Sequence, residues 1–200
     1  MRIGIDIDNT LAMIAPLLVP RLNAAGADPP FTSIADFTHW RFFNDHGLRF
    51  DVFKREFLSV WRNELYAIEP EMPGFQSLID TVRAAGHEVV IITAQWSESW
   101  VYQVQWLQLH QIVPDALIML DVRRYPKWPL IDVLIDDAPQ RALDVPAGKM
   151  LYLVDRPWNQ DVRETLLTDD FGKLYYTVRR VASIKDAMIQ ILKRGNGRVN

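Results

Sequence analysis

None of the 200 residues is cysteine, so disulfides, thiolate metal sites and thiol nucleophiles are all excluded. That absence fits a cytoplasmic protein, where such bonds are rare. Long apolar runs are also missing: none approaches the ~20 residues of a membrane span. The N-terminus opens on a strand pattern, without a basic segment ahead of an apolar stretch, so no signal peptide is expected. Charge of one sign is not in excess either. With 22 basic and 25 acidic residues the net charge is -3, which makes no electrostatic case for nucleic acid or an acidic membrane. Histidine is sparse, and His39, His46, His87 and His110 share no spacing that would suit a metal. There are no internal repeats and no low-complexity segments. What remains is ordinary globular material, 49% hydrophobic and 24% charged. It is long enough for one domain with a real core and a small inserted lobe.

The most informative stretch is Ile3-Gly4-Ile5-Asp6-Ile7-Asp8-Asn9-Thr10, an apolar strand running into two acids spaced by one residue. Residues i and i+2 of a strand share a face, so Asp6 and Asp8 are expected to crowd together at its carboxyl edge. Like charges so placed are costly unless a cation, a proton or a reacting group resolves them. A second acidic pair, Asp136-Asp137, closes the apolar run Val133-Leu134-Ile135. Two strands that both end in paired acids point to a hard-metal site.

Strand patterns at Arg2–Ile7, Glu88–Thr93, Ala116–Leu120, Asp132–Asp136, Met150–Val154 and Leu174–Val178 alternate with helical periods. Phe75, Leu78, Ile79 and Val82 form one such period; Trp100, Val104 and Leu107 another; Ile184, Met188, Ile191 and Leu192 a third. Gly86 and Pro114 punctuate the first two. The alternation implies an α/β fold, a Rossmann-like parallel sheet sandwiched by helices. The stretch 11–73 interrupts it. That stretch reads as a helix over Leu11–Ala25, an aromatic loop region, then a helix carrying Val52, Phe53, Phe57, Val60, Trp61 and Leu65. A small helical cap inserted after the first strand is expected there, with 1–10 and 74–200 as the catalytic core; two further crossover helices are the alternative. Arg194–Asn200 is expected to be a frayed tail. Lys193, Arg194 and Arg198 read as a helix-end charge preference.

Ligands of open α/β sheets bind beyond the carboxyl ends of the strands. The polar residues expected there are Asp6, Asp8, Thr93, Asp136 and Asp137, with Lys127 just ahead of the fourth strand. Taken singly, each has a plain structural reading. Asp8 or Thr10 suits a helix N-cap, and Thr93 is a common strand residue. Lys127 suits a solvated loop, with Arg123 and Arg124 competing for its place. Together and in this order, they resemble the motifs of the haloacid dehalogenase superfamily of phosphotransferases. Within it the chain is similar to the 5'(3')-deoxyribonucleotidase group, through Ile68–Gly74, Leu134-Ile135-Asp136-Asp137 and the helical stretch after the first motif. Asp155-Arg156-Pro157-Trp158-Asn159 is also similar to segments of bacterial and phage members. One departure is Ala94, where a second hydroxyl residue usually follows the threonine; this removes one phosphate contact.

A carboxylate at Asp6 can attack phosphorus, dividing one hard displacement into two easier ones. The resemblance implies a Mg²⁺ held by the side chains of Asp6 and Asp136 and the backbone carbonyl of Asp8, with Asp137 supporting the shell. The Asp8 side chain is then available to protonate the leaving oxygen and later to deprotonate the attacking water. Thr93 and Lys127 would hold the equatorial phosphate oxygens.

The stretch 11–73 also concentrates Phe31, Phe37, Trp40, Phe42, Phe43 and Phe50. Such rings can stack on a base or form the lobe's own small core. Phe37, Trp40 and, just after the second motif, Trp96 are the candidates for a base pocket. His39 and His46 are candidates to touch substrate, and Asp155 with Arg156 either lines the rim or makes a turn forced by Pro157. The reading is a Mg²⁺-dependent phosphomonoesterase of nucleoside monophosphates acting on a small molecule, with no membrane partner and with a homodimer left open. The alternatives are a phosphatase of another small monoester or of a DNA 3'-phosphate end, and a phosphate-binding module without turnover.

Overall fold

The architecture was taken from a computed structural model, which describes residues 1–121, 127–143, 145–168 and 174–196. Arg123, Arg124 and the end of the expected tail, with Arg198, lie outside the described residues.

Seven strands form one sheet in the order β5-β4-β1-β6-β7-β9-β8. They are β1 (Arg2–Ile5), β4 (Glu88–Ala94), β5 (Ala116–Leu120), β6 (Val133–Asp136), β7 (Met150–Val154), β8 (Thr165–Thr168) and β9 (Leu174–Val181). Every pairing is parallel except β8 with β9. The six expected strands are present within a few residues, and the antiparallel edge strand β8 is an addition. Its four residues, Thr165-Leu166-Leu167-Thr168, are too short to carry a periodic signal.

The chain leaves β1 toward β4 and β5 on one side, then returns to β6 and β7 on the other. The reversal puts a crevice at the carboxyl end of β1, beside that of β6. Asp6 follows β1 directly, and its N–H still donates to Ile135 O at 2.9 Å. Asp136 is the last residue of β6. Sheet topology alone therefore brings the two acidic pairs together.

The central strand is packed on both sides. One face carries Ile3, Ile5, Val89, Ile91 and Ile135, which join the buried residues of all five helices. These helices are α1 (Ala15–Ala24), α2 (Phe50–Asn63), α3 (Phe75–Ala84), α4 (Ser97–Leu109) and α5 (Ile184–Asn196). The other face carries Val90, Ile92, Leu134, Leu151 and Leu153, and Trp128 and Ile131 pack against it. Trp128 belongs to a 3₁₀ turn, Trp128–Leu130, so loop chain closes part of this side.

The first helix begins later than its sequence suggests. Residues 11–14 make a turn and the short strand β2 (Ala12–Met13), which pairs antiparallel with β3 (Glu69–Pro70). Asn9 sets this break. It sits in the left-handed region at φ 56, which asparagine tolerates better than most residues. Its Oδ1 accepts from the N–H groups of Ile14 (3.2 Å) and Ala15 (2.7 Å). Asn9 thus meets free donors at the start of α1, the role considered for Asp8 or Thr10, and leaves those two residues for the crevice. Pro16 in the first turn is a signal consistent with the later start.

Gly4 lies in the middle of β1, where a Cβ would meet Ile131 Cδ1 and Ile92 Cγ2 at 2.8 Å each. Both contacts are branched side chains packed in the second face, with little room to yield. Gly4→Ala is therefore expected to cost about 1–3 kcal/mol, the usual range for overpacking a filled core. A shift of the urea midpoint with an unchanged slope would report it; an unmoved midpoint would show that Ile131 repacks freely.

Candidate active site

A cleft of about 790 Å³ opens at the carboxyl edge of the sheet. Asp6, Asp8, Lys127, Asp136 and Asp137 line it on the sheet side, and Phe37, Trp40, Phe42, Phe53 and Phe57 line it from the stretch 11–73. A smaller hollow of about 240 Å³ near Pro70, Met72 and His110 holds no comparable set of charged groups.

Lys127 is 2% exposed and organises the acids. Its Nζ contacts Asp6 Oδ1 and lies 2.7 Å from Asp136 Oδ2. The other Asp136 oxygen accepts from the Ala138 N–H at 2.8 Å. Asp137, just past β6, is held by two groups from other elements: Thr10 Oγ1 donates to Oδ1 and Trp158 Nε1 to Oδ2, each at 2.9 Å. Asp8 is held by Trp61 Nε1 at 2.9 Å and Gln103 Nε2 at 3.0 Å. Arg141 approaches Asp136 Oδ2 at 3.6 Å, and its own Nε has no hydrogen-bond partner.

Burial dominates the electrostatics. It pushes the Asp6 carboxyl up to about 6, against the pull of the Lys127 ammonium. Burial and then the neighbouring Asp6 push Asp8 up to about 7, although its hydrogen bond from Trp61 favours the charged form. Asp137 is raised well above the usual carboxylate range, first by burial and then by Asp136 and Asp6. Burial opposes the charge of Lys127, but Asp136 and Asp6 more than offset it and raise its pKa.

These residues fit a divalent cation. Asp6, Asp136 and Asp137 each present a carboxylate oxygen, and the three oxygens lie within 4.8 Å of one another. All three residues are buried, and an all-oxygen donor set with an excess of negative charge suits Mg²⁺.

The structure brings together Asp6, Asp8, Lys127, Asp136 and Asp137 as the motif order suggests. Thr93 is fully buried at the end of β4 with its Oγ1 unpartnered, but the cleft lining resumes with Ala94, Gln95 and Trp96. Trp40 lines the cleft and is 47% exposed. Phe37 also reaches the cleft, but it is only 1% exposed and stacks on Phe42 at 3.8 Å, so that face is already occupied. Trp96 meets Phe57 edge-on at 5.4 Å, with Lys54 Nζ 5.3 Å from its ring centre.

Neither histidine candidate lines the cleft. His39 pairs with Asp45 at 2.6 Å, and His46 stacks on Phe31 at 3.7 Å. The rim reading of Asp155 and Arg156 gives way to a structural one. Asp155 pairs with Arg180, and Arg156 Nε donates to Asn9 O at 2.8 Å, bracing the loop after β1. Trp61, Gln103, Trp158 and Arg141 were not identified as site residues in the sequence. Only Trp158 carried a signal, as part of the segment Asp155–Asn159.

No protein-family model matches the chain, and no curated protein matches its sequence. Solved structures do share its fold. A hydrolase from Pseudomonas syringae superposes with a TM-score of 0.61 at 12% identity, over 96% of this chain and 98% of that one. A phosphonoacetaldehyde hydrolase-like protein from Oleispira antarctica gives 0.60 at 14%, over 98% and 94%. A HAD hydrolase of family IA, variant 3, from Entamoeba histolytica gives 0.56 at 11%, over 96% and 99%. The chain thus has the Rossmann-like fold of the haloacid dehalogenase-like hydrolases, along nearly its whole length. Among the described residues no helix is long and apolar enough to cross a membrane.

The acid cluster makes stability depend on pH and on metal. Between about pH 4 and pH 7 the folded, chelated protein holds protons on Asp6 and Asp8 that the unfolded chain, with its carboxyl groups near 3.8, has released. The contribution of these groups to stability should therefore fall as pH rises through that window. Added Mg²⁺ competes with those protons, so its stabilising effect should grow from about pH 5 to about pH 8. Melting curves with EDTA or Mg²⁺ at each pH test this, and a Mg²⁺ effect independent of pH would contradict it.

Proposed function

We propose that the protein is a divalent-cation-dependent phosphomonoesterase of the haloacid dehalogenase type, acting on nucleoside monophosphates through an aspartyl-phosphate on Asp6. The observation that carries this reading is the convergence of Asp6, Asp8, Lys127, Asp136 and Asp137 on one cleft. The shared fold supports it, and so does the order of the motifs.

In this mechanism an oxygen of Asp6 attacks phosphorus and the ester oxygen departs. Asp8 lies beside Asp6 and its pKa is raised to about 7, so a large share of it carries a proton near neutrality. It supplies that proton to the leaving oxygen and later withdraws one from the attacking water. Lys127 stays charged in its buried position, and its ammonium holds Asp6 in place and stabilises the phosphoryl oxygens. Thr93 is fully buried near the end of β4 with an unpartnered hydroxyl, which the resemblance assigns to the same oxygens. A Mg²⁺ held by Asp6, Asp136 and Asp137, with the Asp8 carbonyl, would supply the positive charge that lets an anionic substrate approach an anionic nucleophile.

The stretch 11–73 serves as a cap that sets the substrate. Its rings give the cleft an aromatic wall, and the amides of Asn44 and Gln95 add hydrogen-bonding groups beside it. Such a surface suits a nucleobase better than a bare sugar phosphate. The likeness to the 5'(3')-deoxyribonucleotidase group favours deoxyribonucleotides among the candidates.

A phosphate-release screen across ribo- and deoxyribonucleoside 5'- and 3'-monophosphates tests the substrate class directly. Asp6→Asn should abolish turnover, and Asp8→Asn should slow it by about 10²–10⁴, the range of acid–base assistance. Near-normal activity in Asp6→Asn would sink the covalent mechanism. Trp40→Ala should cost about 1–3 kcal/mol on nucleotides, the worth of a stacked base, and leave a small acyl phosphate nearly unaffected. Equal losses on both substrates would place the base pocket elsewhere.

A further inference from the structure

Each carboxylate oxygen of Asp8 is met by a donor, and neither donor lies on the sheet. Trp61 comes from α2, inside the stretch 11–73, and Gln103 from α4. Both residues are fully buried. The Trp61 indole is fixed from behind by Trp106, edge to face at 6.4 Å and 89°. Trp106 is anchored in turn, its Nε1 donating to Ile68 O at 2.8 Å. The Asp8 carboxyl group is therefore clamped on two sides by groups that themselves have little freedom.

The torsion that turns a carboxyl group about its own axis is soft in aspartate. Without donors the Asp8 plane would wander over a wide range. Each oxygen has two acceptor directions, so a helix donor on each fixes the plane, while Gln95 hydrogen-bonds the same carboxyl group from the cleft side. The geometry points to Trp61 as a positioning residue: with Gln103 opposite, its indole N–H holds Asp8 in the orientation from which it protonates the leaving oxygen.

This inference rests on the phosphatase reading above, in which Asp8 is the acid. In the step concerned, an Asp6 oxygen forms a bond to phosphorus and the bond from phosphorus to the ester oxygen breaks. That oxygen takes the Asp8 proton and leaves as an alcohol, and Asp8 is left as a carboxylate. A leaving group that is stable as an anion has little need of the proton. A weakly acidic one, such as phenol with a pKa of about 10, depends on it.

The test is kcat/KM for phenyl phosphate and p-nitrophenyl phosphate, which reports on the steps through phosphorylation of Asp6. Neither substrate carries a base, so nucleotide preference does not enter. Trp61→Phe should lower kcat/KM about 10- to 10²-fold on phenyl phosphate, the cost of a misplaced catalytic group, and change the nitrophenyl ester less than about threefold. Gln103→Leu should show the same selectivity and serves if Trp61→Phe does not fold. The ratio between esters is measured on one preparation, so partial unfolding cancels. Equal losses on both esters in Trp61→Phe and Gln103→Leu, alongside a selective loss in Asp8→Asn, would overturn the positioning role and leave the phosphatase reading intact. A wild-type protein that releases phosphate from neither ester nor any nucleoside monophosphate, or an Asp8→Asn variant without selectivity, would overturn both.

Discussion

Four carboxylates are buried at one edge of the sheet, and the ammonium group of Lys127 is the charge that lets them share it. Taking an ion out of water costs several kcal/mol even after relaxation, and a cluster of like charges adds to that cost. Lys127 lies between Asp6 and Asp136 and offsets part of it. The remainder is met by neutral donors brought from a distance. Thr10 and Trp158 reach Asp137, and Trp61 and Gln103 reach Asp8. The loop after β1, the turn after β7 and helices α2 and α4 thus all depend on one electrostatic demand. The arrangement still sets four acids around one ammonium group, a donor set that fits a divalent cation.

The sheet supplies the precision this cluster needs. Asp6 and Asp136 end adjacent parallel strands whose register is set by Ile3 opposite Val133 and Ile5 opposite Ile135. A slip of one residue would turn one acid to the opposite face, so the register also fixes the spacing of the site. Gly4 belongs to the same device, because the close approach of Ile131 and Ile92 wedges β1 into its place. Groups placed on or directly after rigid strands vary less in position than groups placed on long loops, and Asp6 and Asp136 have that support.

Much of this was legible in the sequence. Alternating strand and helix patterns led to the sheet, and paired acids at two strand ends led to the cluster, because both signals are local. The donors to those acids were not legible. Trp61 and Gln103 sit 53 and 95 residues from Asp8, and each looks in sequence like one more member of an ordinary helix. Helical periodicity says which side of a helix is inward; it does not say which inward group meets a carboxylate. Thr10 shows the reverse limit. Its sequence context suited a helix cap, but the left-handed turn at Asn9 delayed the helix and released Thr10 to Asp137. His39 and His46 were weighed as substrate contacts because of their place in the inserted stretch, yet one is occupied by Asp45 and the other by Phe31.

The ribbon formed by β2 and β3 has an evolutionary consequence. The chain enters the stretch 11–73 through Ala12 and leaves it through Pro70, and these two residues are paired neighbours. An excursion whose two ends meet is topologically a cassette: residues can be gained or lost within it without shifting any strand of the seven-stranded sheet. The cleft wall that this stretch supplies can thus diverge while the acids at the sheet edge stay put. Trp61 sets a limit on that freedom, since any replacement cassette must still deliver a donor to Asp8.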